Sequence, residues 1–195
     1  MPYEYSAQNH DWDLTLHAAA ELINTGLVMH KQPTSGTLSK GFSFFTGDMI
    51  LSFAAIESFS ASVAFAMQSD DRFASFDFTQ YRTTRRFWDR LQLLMTAAGV
   101  EINKSDGLFR EIGDMQRWRN LVIHASPYEI EPTEIEDTIE APGRLHEKAK
   151  HLDYTTMISP ESAKRFYEAA VAFINLVRER TGLDPRASAN YVIGV

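Results

Sequence analysis

The stretch GLFREIGDMQRWRNLVIH, residues 107–124, decides how this chain is read. Placed on a helix of about 3.6 residues per turn, Leu108, Ile112, Met115, Arg119 and Val122 fall on one stripe, which predicts an amphipathic helix over 107–124. Pro127 closes it, because the residue before a proline avoids the helical region. The stripe carries an anomaly. Arg119 points where an apolar residue belongs, and a guanidinium does not give up its proton. Its burial therefore demands an anionic partner, a water-lined cavity or an interface that phosphate reaches.

Working outward, hydrophobic periodicity predicts four more helices. Trp12, Leu16, Ala19, Leu22 and Ile23 mark one over 11–29, broken by Pro33 and Gly36. Asp48 is a natural N-cap for a second over 49–67, whose apolar content makes it the expected central helix. A third spans 83–98 before Gly99, with Phe87, Leu91, Leu94 and Met95 inward. Ser159-Pro160-Glu161 starts the last and Gly182 stops it, with Phe166, Ala170, Phe173 and Val177 inward. Between them, residues 128–158 form an acidic excursion punctuated by Pro and Gly, with a short strand expected around 155–158. Residues 183–195 read as a tail. The expectation is a single all-α domain over 1–195, an antiparallel bundle of about five helices with a short irregular or β excursion before the last.

Composition narrows the function. A chain of 195 residues with 44% hydrophobic content supports one well-cored domain, and no Gly/Ser linker or repeat divides it. The absence of Cys excludes disulfides, Cys-based zinc sites and thiol nucleophiles, and fits a reducing compartment. Residues 1–13 are acidic and aromatic rather than basic and then apolar, so no signal peptide is read there. The apolar stretch 49–67 is interrupted by Glu57 and four Ser, which favours a buried helix over a membrane span. The expected location is the cytoplasm, with no membrane role. A net charge of −7 argues against a general nucleic-acid coat. The distribution is uneven, however: from Arg82 to Arg119 there are eight Lys/Arg against five Asp/Glu, whereas 129–140 holds six acids and no bases. A local positive groove stays open.

His124 is the one side chain in the 119–124 segment that exchanges a proton near neutral pH. Helical spacing sets it about 140° round the axis from Arg119, whereas Asn120 is its i,i+4 neighbour. One protomer alone therefore carries an incomplete site.

Arg-Asn, three aliphatics and His, late in an all-helical chain, resembles the R-x4–6-H motif of the HEPN superfamily (higher eukaryotes and prokaryotes nucleotide-binding domains). The spacing alone is also met by Arg117 to His124 and by Arg144 to His151. Asn after Arg, the aliphatic filling and the amphipathic lead-in single out 119–124. The resemblance covers about residues 10–181 by architecture and 119–124 by motif. It implies a HEPN-like helical bundle that dimerises and joins two motifs at the interface, often as a metal-independent endoribonuclease, with many members acting as toxins or in defence against phage and others only binding. Some antitoxin-regulated members carry Tyr two residues after the His. Here that position is Ser126, and the nearest tyrosine is Tyr128, which puts regulation through that Tyr in doubt.

On this reading Arg119 and His124 are the catalytic candidates. RNA cleavage requires a base for the 2′-hydroxyl, an acid for the 5′-oxygen and a cation for the phosphorane. Two Arg119 and two His124 across a dimer supply all three. The plainer roles are an internal ion pair for Arg119 and a helix C-terminal cap for His124. Asn120 positions His124 or contacts substrate. Glu57, on an apolar stripe with Ile50, Phe53, Ala61 and Ala64, is the expected partner of Arg119. Arg82, Arg85, Arg86 and Arg117 are RNA-binding candidates, each otherwise a solvated charge, while Phe87, Trp88 and Trp118 read as packing aromatics. His10, His17 and His30 are dispersed, His146 and His151 lack i,i+4 spacing, and neither a Gly-rich phosphate loop nor a Gly-x-Ser-x-Gly elbow occurs, so no metal or cofactor is expected. The expected function is a metal-independent endoribonuclease acting on RNA as a homodimer, with an antitoxin or regulatory protein as a further partner. The alternatives are a catalytically silent HEPN-like domain that binds RNA, nucleotide or protein, and a purely structural helical interaction module.

Overall fold

The structure, a computed structural model, describes residues 5–6, 11–32, 40–123, 154–185 and 192–193. Among them are six α-helices: α1 (Trp12–His30), α2 (Phe42–Met67), α3 (Phe78–Thr83), α4 (Phe87–Ala97), α5 (Gly107–Ile123) and α6 (Pro160–Thr181). Short 3-10 turns lie at Asp71–Phe73 and Tyr154–Met157. Tyr5–Ser6 and Val192–Ile193 form a two-residue antiparallel pairing. The class is all-α, as the periodicity predicts.

Helix α2 is central: it packs against α1, α3, α4, α5 and α6. By length and composition it is apolar enough to cross a bilayer, but 13 of its residues are buried against its neighbours. It begins a turn and a half before Asp48, so Asp48 is not its N-cap. The carboxylate lies inside the helix and is fully buried. Ser52 donates a hydrogen bond to its Oδ1 at 3.2 Å, while Oδ2 has no partner among the described residues. Burial pushes this carboxyl up to about 7, against the lowering effect of the Ser52 bond.

Helices α1 and α2 form an antiparallel hairpin. Trp12 meets Phe59 edge-on at 4.9 Å, Leu22 lies over Gly47, and Gly26 lies under Phe45. Close approach explains the glycines, since a Cβ at Gly26 would sit 2.7 Å from the Phe45 ring. Helix α6 closes the other side, with Phe59 against Phe173 at 6.5 Å and Trp118 of α5 against Phe166 at 5.7 Å. One apolar cluster draws residues from all six helices.

The helix ends follow their local chemistry. Ser159 caps α6 by accepting the Ser162 N–H at 3.1 Å, with Pro160 at the first helical position. Gly182, at φ 67°, ends it. The expected helix over 83–98 begins later, at Phe87, and Thr83 instead ends the separate helix α3. Thr83 and Thr84 turn their hydroxyls back onto the carbonyls of Thr79 and Gln80 at 2.9 and 2.8 Å, and the backbone is extended at Thr84 and Arg86. Gly99 then closes α4 as expected, with Val100 N–H bonded to Met95 O at 2.8 Å and Gly99 N–H to Thr96 O at 3.1 Å. Where a short strand was expected, at 155–158, the chain makes the 3-10 turn Tyr154–Met157.

Residues 183–185 are not free chain. Asp184 pairs with Arg178 at 2.6 Å, and the Trp12 indole N–H donates to the Pro185 carbonyl. His124, Ser126, Tyr128, His10, His146, His151 and nearly all of the acidic excursion over 128–158 lie outside the described residues.

Candidate functional site

The first turn of α4 and the second half of α5 flank a cleft floored by α2. Phe87 at the start of α4 is buried against Phe53 of α2, ring centroids 5.0 Å apart. One turn further along each helix, the same register brings Arg90 to Glu57, Nη2 to Oε1 at 3.5 Å. The expected Glu57–Arg119 pair is therefore not formed: the cation that pairs with Glu57 comes from α4. Both residues nevertheless line the same cleft, of about 640 Å³, together with Arg85, Arg86, Arg90, Lys104 and Asn120. Tyr81 borders the Glu57–Arg90 pair. Burial pushes its phenol up to about 12, with Arg90 opposing and Glu57 adding.

Arg119 is half-buried rather than central to the apolar face. The inward stripe of α5 is Phe109, Ile112, Met115 and Trp118, and Trp118 takes the place assigned to Arg119. Its ring has no exposed surface, and its indole N–H donates to Tyr154 O at 3.0 Å. Arg119, one residue on, swings about 100° out of that face. Its Nη1 donates to Asn120 Oδ1 at 3.2 Å, so the Arg-Asn pair acts as one polar unit at the cleft wall. The rest of the guanidinium makes no ion pair among the described residues.

A second cavity, about 570 Å³, adjoins the first and is lined by Arg110, Asp114 and Arg117. The two share Trp88, Lys104, Gln116 and Asn120. Arg117, expected as a solvated charge or an RNA contact, is exposed and pairs with Asp114 at 3.3 Å. Arg85 and Arg86 line the main cleft, whereas Arg82, at the end of α3, does not. Across both cavities seven cations, Arg85, Arg86, Arg90, Lys104, Arg110, Arg117 and Arg119, face three acids, Glu57, Asp89 and Asp114. In a chain of net charge −7 this is a local reversal of sign. Helix α4 also starts here without a side-chain cap, with Asp89 in its first turn as the acid that offsets its partial positive end.

Trp88, read from the sequence as a packing aromatic, and Lys104, not singled out there, complete the site. Trp88 lines both cavities, with the Lys104 ammonium 4.4 Å above its ring. The available signal was an aromatic next to a basic run, directly after a core Phe. Such an arrangement has the chemistry to hold an extended polyanion: cations along two walls, an aromatic ring between them, and the Arg119–Asn120 pair at one side. Among the described residues no three His, Asp or Glu gather as a metal centre would require. His124, the proton-transfer candidate, follows directly on the last residue of α5.

No protein-family model, no curated protein and no solved structure matches this chain.

Proposed function

We propose that this chain is a HEPN-like, metal-independent endoribonuclease that works as a cytoplasmic homodimer, of the kind used as a toxin or defence effector under the control of a partner protein. The observation that carries the reading is the cation-lined cleft onto which Arg119 and Asn120 open, in a chain that is otherwise acidic. A phosphodiester drawn into that cleft meets the Arg119 fork, which suits the spread charge of a phosphorane better than a point ammonium does. His124 of one protomer takes the proton of the 2′-hydroxyl as its oxygen attacks phosphorus. The bond to the 5′-oxygen breaks, and that oxygen receives a proton from the partner subunit's His124. The products are a 2′,3′-cyclic phosphate and a free 5′-hydroxyl. Because the nucleophile belongs to the substrate, no metal-bound water is needed.

A second reading, a silent domain that binds RNA without cutting it, is favoured by the same cleft, whose described side chains supply charge and a ring but no established proton shuttle. Incubation of the purified chain with diverse RNAs, with and without chelator, separates the two. The nuclease reading expects cyclic-phosphate ends that survive chelation and vanish in His124→Ala and Arg119→Lys. Binding without cleavage supports the silent reading, and full activity of His124→Ala overturns the mechanism.

A further inference from the structure

Of the three tryptophans, Trp12 is 3% exposed and Trp118 0% exposed, while Trp88 is half-buried on the wall common to both cavities. It packs against the apolar core. Phe87, buried, meets it edge-on at 5.4 Å and 70°, and on α5 it lies near Gly113, where even an added Cβ would stand 3.6 Å from the ring. The Lys104 ammonium lies over the ring centroid, so that face of the indole has a flexible, exposed side chain above it rather than packed carbon. A flat, backed aromatic face covered by a displaceable cation, beside the guanidinium groups of Arg85 and Arg86, which make no ion pair among the described residues, matches how proteins hold unpaired bases.

We propose that Trp88 is a stacking platform for an unpaired base, and that the cleft takes single-stranded RNA and rejects duplex. The inference rests on RNA being the cleft's ligand, but it needs no cleavage. A base slides over the indole, Lys104 moves off the ring to a flanking phosphate, and Arg85 and Arg86 hold the strand on one side with Arg119 on the other. A paired base cannot reach the ring, because its faces are already stacked within the helix.

The intrinsic fluorescence of the chain supplies the test, since Trp88 is the open indole. The probe is a short 2′-O-methyl oligouridine, which binds as RNA but lacks the attacking hydroxyl. The same strand paired with its complement, and polyphosphate and polyglutamate of similar charge, serve as comparisons. The single strand is expected to quench emission and to bind at least tenfold tighter than the other three. Trp88→Leu, checked for unchanged helicity, should lose roughly tenfold in affinity, the size of one base–aromatic stack. Should that variant unfold, protection of the unmutated chain's emission from acrylamide by bound oligouridine replaces it. Binding without quenching or protection overturns the proposal. Equal affinity for duplex or polyphosphate does so too, by showing attraction to charge alone, and equal affinity for polyglutamate by showing an acidic protein as the ligand. Cleavage of RNA without quenching defeats only the stacking. Quenching without cleavage defeats only the nuclease.

Discussion

Trp118 and Arg119 are neighbours on α5, and Phe87 and Trp88 are neighbours on α4, yet each pair straddles the boundary between two unlike regions. Trp118 and Phe87 belong to the apolar interior. Arg119 and Trp88 line the cleft. On a helix one residue is a turn of about 100°, so the large buried ring in each pair fixes the heading of the residue that follows it. The interior is filled by rings and aliphatics from all six helices, whereas the cleft is walled by long cationic side chains of which only Arg90 is tied across to α2. Packing is therefore expected to govern stability in the first region, and charge to govern binding in the second.

The hardest test of that division is at the α5 pair. Trp118→Ala should lower unfolding free energy by about 4 kcal/mol, as large-to-small changes of a buried aromatic do, and it also strands the Tyr154 carbonyl. Arg119→Ala should shift it by less than about 1 kcal/mol. Urea melts of both variants check this. A loss at Arg119 equal to that at Trp118 would place the guanidinium inside the core after all.

Asp48 is the interior's exception, and pH exposes it. Its folded carboxyl is raised to about 7 from 3.8, so between those values the folded chain holds a proton that the unfolded chain has released. Stability then falls as pH rises from about 4 to about 7 and levels off above, by something on the order of 4 kcal/mol. Asp48→Asn keeps an acceptor for Ser52 and cannot ionise. Melts across that window should show the falling limb in the parent and a markedly flatter curve in the variant. Parallel curves would mean that Asp48 is solvated.

Much of this division was legible from residue order, and the failures have physical causes. The α6 boundaries followed from Ser159-Pro160 and Gly182, and its inward set Phe166, Ala170, Phe173 and Val177 is fully buried. The same holds for Phe87, Leu91, Leu94 and Met95 of α4, all buried. The α5 stripe was ambiguous. A start at Leu108 leads through Ile112 and Met115 to Arg119, and a start at Phe109 leads through the same two residues to Trp118; the larger apolar area of Trp118 decides. Asp48 looked like a cap because polar residues favour helix starts, but four apolar-rich residues before it, Phe42 to Phe45, extend the helix backward. The Glu57–Arg90 pair depends on how α4 registers on α2, which periodicity within one helix does not contain.

The cleft is tested next by its salt dependence. If Arg85 and Arg86 each hold a phosphate, replacing both with Ala should weaken single-stranded RNA binding roughly tenfold and reduce the slope of log affinity against log salt by about 1.4. Arg82→Ala is the control, since Arg82 lies outside the cleft lining. Titrations at several salt concentrations check both. If Arg82→Ala matches the double variant, the attraction is a property of the whole basic run and not of the cleft.

The smallest effect is the most diagnostic of how the two regions join. Glu57 sits on the interior helix but points its carboxylate at a cleft cation, and the pair is about one-third exposed on each side, 31% for Glu57 and 33% for Arg90. Ion pairs open to water contribute less than about 1 kcal/mol, and Gln retains an oxygen that accepts from Arg90. Glu57→Gln should thus leave the melt within that margin while removing one of the few negative charges in the cleft. RNA affinity should rise about two- to threefold at low salt and return to the parent value as screening shortens to a few ångströms. A fall of several kcal/mol would instead mark Glu57 as the anchor of a desolvated network that includes Arg119 as well as Arg90. In that case the cleft wall would be part of the core, and the boundary drawn between Trp118 and Arg119 would have to move outward.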